Sequence, residues 1–300
     1  MEPYENFISP LFVQVCTGQD TVHVQPQVIN AVFVFVQLFA RLEARRCLKD
    51  IEPRLFPKDG GPNHGEVVEL FGPEGTGKTE VLYHLLSRCI LPVAAGGLEV
   101  DVVFVDTDYS LDMLRLVSIL DNKLNPGTLG TLHSCLSRLL VVHCSSSSQL
   151  LLTLHFLETT LSSRPGLALL LIDSVSAFYW LDRSEGGASV AKQEEKLSKC
   201  SELLGRLLRD YRITMFATCH AIRRSHAEPS SSSSSSSNAD RPFLCRSWQR
   251  LVTHRLIFSR REDSTNIEFW FCVFRVVSYT LFPSIFSFVI LFSDMFFRTL

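Results

Sequence analysis

The stretch Gly72 to Thr79, GPEGTGKT, decides the fold of this 300-residue chain. It matches the pattern G-x-x-x-x-G-K-[ST], directly after the β-rich segment EVVELF (66–71) and directly before the helix-like segment KTEVLYHLLSRCI (78–90). A glycine-rich turn between a strand and a helix lets backbone N–H groups and the positive helix end surround a phosphate. We therefore predict a nucleotide-binding loop, the alternative being an ordinary glycine-rich turn. The loop consists of Gly72, Pro73, Glu74, Gly75, Thr76, Gly77, Lys78 and Thr79.

Three side chains carry predicted roles at this loop. In such loops the lysine pairs with the β- and γ-phosphates of ATP and the hydroxyl ligates Mg²⁺, so Lys78 and Thr79 take those roles. A carboxylate is needed to complete the metal site. The segment LALLLID (167–173) places Asp173 at the carboxyl end of an apolar strand, where a parallel sheet opens onto its ligand. The alternative for Asp173 is that it caps the next helix.

A general base is sought in VVFVDTDYSLDML (102–114), where Asp106 and Asp108 follow a strand. A carboxylate here could orient the water that attacks the γ-phosphate. Asp is one methylene shorter than Glu, and a displacement of about 1 Å can cost on the order of a hundredfold in rate, so we expect slow hydrolysis. The nearly equal alternative is that both carboxylates cap the following helix.

From Gly65 to Cys219 strand-like and helix-like segments alternate, as in βαβ units that build a parallel sheet. The predicted class is α/β, a P-loop ATPase core with a mostly parallel central sheet flanked by helices. The predicted strands are 66–71, 102–106, 138–143, 167–173 and 213–219, and the helical segments are 78–90, 110–124, 147–161 and 191–211. The last of these should place one apolar face on the sheet, made of Leu197, Cys200, Leu203, Leu204, Leu207, Leu208 and Tyr211.

Composition narrows the function classes. The chain is 46% hydrophobic and 20% charged, which is too apolar for a disordered protein. Its formal charge of −2 excludes the class of proteins that bind nucleic acid through a large excess of positive charge. The nine cysteines are scattered without any CxxC, so they indicate reduced intracellular thiols and neither zinc nor a disulfide framework. The acidic start MEPYENF argues against a secretory signal.

The segments GPEGTGKTE (72–80), FVDTDY (104–109), LLLIDSVSAFYW (169–180) and MFATCHAI (215–222) together resemble the RecA-like recombinase family and its paralogues. The resemblance runs from about Ala40 to Asp263. It implies a RecA-like ATPase core in which the loop binds ATP and Asp173 serves the Mg²⁺ site. Asp108 stands where active recombinases carry a catalytic Glu, and His220 stands where they carry a Gln that senses the γ-phosphate. These two departures imply a weak DNA-dependent ATPase at most.

The resemblance also implies a role. Family paralogues assemble into a complex that helps to load or stabilise the recombinase filament on single-stranded DNA, in homologous-recombination repair of double-strand breaks and stalled forks. The implied partners are other paralogues, among them the D member, and the filament, with single-stranded DNA contacted mainly through the complex. We expect a nuclear protein without a membrane partner. The chain lacks room for the helical DNA-binding domain that precedes the core in full-length recombinases, so we expect it to need a partner.

Two competing functions come from other classes. The first is an interaction scaffold that does not hydrolyse ATP and whose nucleotide site is vestigial. The second, a metabolic P-loop kinase, is disfavoured because no second arginine cluster for a substrate phosphate stands between the strands. Loss of Lys78 separates the first alternative from a working ATPase, since a scaffold should tolerate it.

The predicted domain organisation has three parts. Residues 1–39 form an irregular N-terminal extension, 40–266 the ATPase core, and 267–300 an apolar C-terminal tail that resembles an alternative exon. Within the core, 225–240 is a serine-rich segment that cannot bury apolar area and is expected to be a disordered loop. Residues 276–293 carry no charge and are numerous enough to span a bilayer. A membrane segment is the less favoured interpretation of this stretch.

Candidate DNA contacts come from a basic stretch. Between Arg241 and Arg261 arginines alternate with aromatic residues and no acid intervenes. Arg246, Arg250 and His254 are spaced by four residues, which would align them on one face of a helix. Arg223 and Arg224 precede the serine-rich segment, where RecA-like proteins place a mobile DNA-contacting loop. Arginines with stacking aromatics suit single-stranded DNA, and an ordinary solvated basic face is an equally weighted alternative.

Overall fold

A computed structural model describes residues 48, 51–56, 61–124, 129–187, 189–221, 244–262, 267–275 and 289–292. All of these residues belong to one compact unit, Ala44–Leu300. The predicted extension 1–39 and the serine-rich segment 225–240 lie outside the described residues. Arg223 and Arg224 lie outside them as well.

The described strands form one eight-stranded sheet in the order β3-β2-β4-β5-β1-β6-β7-β8. Pairing is parallel from β3 through β6, and the last two strands join antiparallel. The predicted α/β class with a mostly parallel sheet is therefore confirmed. The strands are β1 (Val67–Gly72), β2 (Asp101–Asp106), β3 (Leu139–His143), β4 (Leu167–Asp173), β5 (Thr214–His220), β6 (His254–Glu262), β7 (Ile267–Arg275) and β8 (Val289–Phe292).

Helices cover both faces of this sheet because successive strand residues point to opposite sides. Val68 and Leu70 of β1 pack with the first three helices, whereas Val67 and Phe71 pack with later ones. The helices are α1 (Lys78–Ile90), α2 (Met113–Lys123), α3 (Leu129–Ser137), α4 (Ser147–Ser163), α5 (Tyr179–Glu185), α6 (Val190–Tyr211) and α7 (Arg246–Leu251). The predicted apolar face of α6 is buried or half-buried throughout, in contact with the second group of strand residues.

Part of the predicted C-terminal segment 267–300 extends the sheet. Two stretches within 267–300 form strands, and β7 continues the sheet from β6 in register from His254↔Arg275 to Glu262↔Ile267. The exon origin of that region stays a prediction. Among the described residues, no helix is both long and apolar enough to cross a bilayer. Six cysteines with described side chains are buried free thiols: Cys89, Cys135, Cys144, Cys200, Cys219 and Cys245.

The topology determines where ligands can bind. Strands β1, β2, β4 and β5 run parallel, so their carboxyl ends meet at one edge of the sheet. Gly72 is paired with His220 across β1 and β5, and Asp106 is paired with Asp173 across β2 and β4. Residues that are far apart in the sequence are thereby brought to a common edge.

Candidate nucleotide-binding site

The glycine-rich loop turns sharply between β1 and α1. Gly75 and Gly77 have φ values of 70° and 84°, in the left-handed region that favours glycine. At Gly72 a Cβ atom would lie 2.5 Å from the carbonyl oxygen of Phe258 in β6, so no side chain fits there without a shift. The Thr76 hydroxyl donates to the Pro73 carbonyl over 2.8 Å and closes the loop. These features give the compact backbone turn that the motif predicts.

Lys78 is held inside this loop. Lys78 is only 4% exposed, and its Nζ donates to the carbonyl oxygens of Gly72 at 2.9 Å and Pro73 at 2.6 Å. Burial lowers the pKa of Lys78 below its ordinary value of 10.5, and the negative charge of Asp173 opposes part of that shift. Lys78 therefore lies beside the carboxylates of the cleft, where a cation can neutralise an anionic ligand.

Asp173 lies at the end of β4 and is 2% exposed. Its Oδ2 accepts hydrogen bonds from the hydroxyls of Thr79 at 2.9 Å and Ser110 at 2.8 Å, and its Oδ1 accepts one from Thr218. The side chain is therefore directed to the start of α1, and the next helix, α5, has Phe178 and not Asp173 at its N-cap. The structure brings Asp173 and Thr79, the two predicted Mg²⁺ ligands, into direct contact.

Asp106 and Asp108 have different surroundings. Asp106 is fully buried and accepts the backbone N–H groups of Ser110 at 3.0 Å and Leu111 at 3.2 Å. Helix α2 is capped by neither of them, because Asp112 accepts from Leu114 N and Arg115 N at 2.8 and 3.2 Å. Asp106 thus shapes the turn that follows β2, while Asp108 remains the carboxylate of this turn that lines the cleft.

Asp108 is paired with His220. The Nε2 atom of His220 lies 3.1 Å from Oδ2 of Asp108. Burial alone would raise the pKa of Asp108, but hydrogen bonds from His220 and Ser174 and the charge of Lys78 outweigh it and lower the pKa. The carboxylate is consequently held ionised. The backbone N–H of His220 donates to the Ser176 hydroxyl at 2.9 Å, which fixes the end of β5.

These groups surround an open cleft of about 570 Å³. Its lining residues are Glu74, Thr79, Asp108, Ser110, Asp173, Ser176, Ala177, Trp180, His220 and Ala221. A hydroxyl and a carboxylate in contact are oxygen donors of the kind Mg²⁺ prefers, with phosphate oxygens completing such sites. The left-handed glycines, the lysine in the loop and this oxygen pair together fit a nucleoside triphosphate with Mg²⁺. No cluster of three or more His, Cys, Asp or Glu side chains suited to another metal occurs in the part of the chain that is described.

The predicted DNA-contacting residues are only partly described. Arg246 and Arg250 are exposed and both belong to α7. The prediction that His254 shares their helix face is wrong, because α7 ends at Leu251 and His254 begins β6, where it is 4% exposed. There its ring packs edge-on to Phe56, with centroids 5.7 Å apart. The role of Arg246 and Arg250 stays a prediction.

Sequence reasoning missed several residues of the cleft. Ser110 and Thr218 bond to Asp173, and Trp180 lines the cleft with 60% of its surface exposed. Thr218 could have been noticed as a polar residue near the carboxyl end of an apolar strand. Ser110 follows Asp108 by two residues, but only the turn formed around Asp106 directs it at Asp173.

Comparisons with known proteins identify the family of this chain and two relatives. A sequence model of the Rad51 family matches residues 55–265. The chain is 50% identical over 239 residues to the DNA repair protein XRCC2 of Mus musculus, covering 78% of this chain and 86% of the mouse protein. It is 26% identical over 290 residues to the DNA repair protein XRCC2 homolog of Arabidopsis thaliana, covering 74% of this chain and 77% of the plant protein.

Proposed function

Because this chain belongs to the Rad51 family, we propose that it is an ATP-binding recombinase paralogue that acts in homologous-recombination repair of double-strand breaks and stalled forks. The family match and the identity to the mouse DNA repair protein support a role in DNA repair by recombination. The observation that carries nucleotide binding is the direct contact of Thr79 with Asp173 beside Lys78.

Each part of the site has a distinct task in this proposal. Backbone N–H groups of the loop and of the start of α1 would bind the phosphates, and Lys78, which now donates to the carbonyls of Gly72 and Pro73, would donate to phosphate oxygens. Thr79 and Asp173, which are in direct contact, would hold Mg²⁺, and the ion would neutralise phosphate charge when bound. Asp108, held ionised, is the carboxylate available to orient a water.

Turnover in this site should be weak. Asp108 is one methylene shorter than Glu, and its Oδ2 already lies 3.1 Å from Nε2 of His220. A carboxylate that is short and engaged by an imidazole reaches a water at the γ-phosphate less well than a free Glu does. His220, placed at the end of β5 beside Gly72, is the residue that we propose to respond to the γ-phosphate.

Partners are proposed to complete the function. The outer face of α4 exposes Phe156 by 73% and Leu152 by 58%, an apolar surface of the kind that protein interfaces cover. The formal charge of −2 gives the chain no excess of positive charge with which to bind DNA by itself. Both observations support action within a complex of paralogues, among them the D member, and this complex assists the recombinase filament. Single-stranded DNA would then be contacted mainly through the complex, and the protein would work in the nucleus.

A non-hydrolysing scaffold is the second candidate. It is favoured by one observation, that Nζ of Lys78 is bonded to carbonyl groups of its own loop. In that case the nucleotide site is vestigial and the helical faces alone dock a partner.

Turnover and assembly measured together separate the two candidates. The full chain is assayed for ATP hydrolysis with its paralogue partner, with and without single-stranded DNA, as wild type, Lys78→Ala and the exposed control Lys192→Ala. We expect slow, DNA-stimulated hydrolysis that Lys78→Ala abolishes and Lys192→Ala leaves intact. Absence of hydrolysis, with complex assembly that Lys78→Ala does not weaken, would establish the scaffold instead.

A further inference from the structure

The Asp173 carboxylate is held from two sides by hydroxyl groups that the motif does not include. Ser110 reaches Oδ2 at 2.8 Å from the turn after β2, and Thr218 reaches Oδ1 from β5. We propose that Ser110 and Thr218 are positioning residues that fix the orientation of Asp173 for a divalent cation. This inference rests on the proposed nucleotide site.

Thr218 supplies the permanent part of this arrangement. It is fully buried on β5, and the parallel register of Ile172 with Ala217 brings it beside Asp173. A hydroxyl that donates to one carboxylate oxygen fixes the carboxylate plane and leaves the other oxygen directed at Thr79. Partners of this kind orient metal ligands, and removing one typically costs about 10- to 100-fold in metal affinity.

Ser110 links the turn that carries Asp108 to the carboxylate of Asp173. Its backbone N–H is bonded to the buried Asp106, and its hydroxyl is bonded to Asp173. The turn from Asp106 to Ser110 carries Asp108, which is paired with His220. The position of the candidate general base is therefore linked to the position of the metal-binding carboxylate.

Mg²⁺ demands near-ideal octahedral geometry, so a carboxylate free to rotate is a poorer ligand than a fixed one. The consequence is measurable as the Mg²⁺ concentration at which nucleotide binding is half complete. A side chain that serves only folding would change stability but leave that midpoint unchanged among folded molecules.

The first test titrates Mg²⁺ against a fluorescent ATP analogue bound to the full chain. The variants are Thr218→Val, which keeps the shape and removes the hydroxyl, Thr218→Ser, which restores it, and Ser110→Ala. Thr214→Val is the matched control, because Thr214 is also buried on β5 but its hydroxyl donates to Asn63 O at 3.3 Å. We expect the midpoint to rise about tenfold or more in Thr218→Val and Ser110→Ala, and to stay near wild type in Thr218→Ser and Thr214→Val.

The second test needs no ligand. Unfolding of Thr218→Val, Asp173→Asn and the double variant is compared with wild type, and the two losses should be non-additive because both remove the same contact. Additive losses, or Mg²⁺ midpoints unchanged in both hydroxyl variants, overturn the positioning role alone. If the wild-type chain binds no nucleotide with Mg²⁺, the proposed function fails and the metal role fails with it, whatever the unfolding cycle shows.

Discussion

At the scale of single residues, two carboxylates separated by one position have different fates. Asp106 is fully buried at the end of β2 and accepts hydrogen bonds from backbone N–H groups, whereas Asp108 lines the cleft and is paired with His220. The sequence identifies both as carboxylates that follow a strand, but it does not show which of the two is buried and which lines the cleft. That depends on the turn closed by the backbone N–H of Ser110 onto Asp106, and on His220 of β5, which lies 112 residues away from Asp108 in the sequence.

Glu52 gives a prediction at this scale. It is 3% exposed and its carboxylate accepts from Arg54 Nε at 2.6 Å and lies 2.5 Å from His84 Nε2. Burial would raise the pKa of Glu52, but the hydrogen bonds with Arg54 and His84 outweigh it and bring the pKa well below its ordinary value of 4.5. Ionised Glu52 therefore stabilises the fold above about pH 4.5, and this contribution is lost as the pH falls through the folded-state pKa.

We expect Glu52→Gln to lower the free energy of unfolding at pH 7 by about 1–3 kcal/mol, the range for a buried charge-assisted hydrogen-bond site. The variant should also lose less stability than wild type between pH 6 and about pH 3, because the contribution of the titrating carboxylate declines below about pH 4.5 in wild type only. Urea unfolding at both pH values measures this. An equal loss in the two proteins would show that Glu52 does not contribute to the acid sensitivity.

At the scale of elements, patterns of hydrophobic residues predict most of the fold. Helix α1 begins and ends at the predicted residues, and β4 has the predicted bounds. Both could be predicted because the hydrophobic pattern of a helix or a buried strand depends only on residues within that segment. Helix α2 begins later than the predicted 110, at Met113, because the residues before it form the turn around Asp106. Nor could local patterns show that the fully buried Glu69 of β1 would be paired with Trp248 and Arg255.

The start of α2 yields a prediction about this element. Asp112 caps the helix through two backbone N–H groups, at 2.8 and 3.2 Å. Asp112→Ala should lower the free energy of unfolding by about 1 kcal/mol, whereas Asp112→Asn should cost little because Asn is an equally good cap. Chemical denaturation of the full chain measures both variants. Equal stability of Asp112→Ala and wild type would mean that the cap contributes nothing to the start of α2.

At the scale of the whole molecule, parallel strand topology assembles the site. Four strand ends converge so that the glycine-rich loop, Asp108, Asp173 and His220 face one cleft. The loop and Asp173 could be predicted from the motif and from the position of a carboxylate after an apolar strand. Ser110, Thr218 and Trp180 could not, because their placement depends on how separate segments pack.

The central claim is that this cleft binds ATP with Mg²⁺, and equilibrium binding of ATP to the full-length chain tests it most directly. Binding is measured for wild type and Lys78→Ala with and without Mg²⁺, after circular dichroism has shown both proteins to be folded. The account predicts saturable binding by wild type that Mg²⁺ strengthens and that Lys78→Ala abolishes. No binding by the folded wild-type chain, or equal binding by Lys78→Ala, would contradict it.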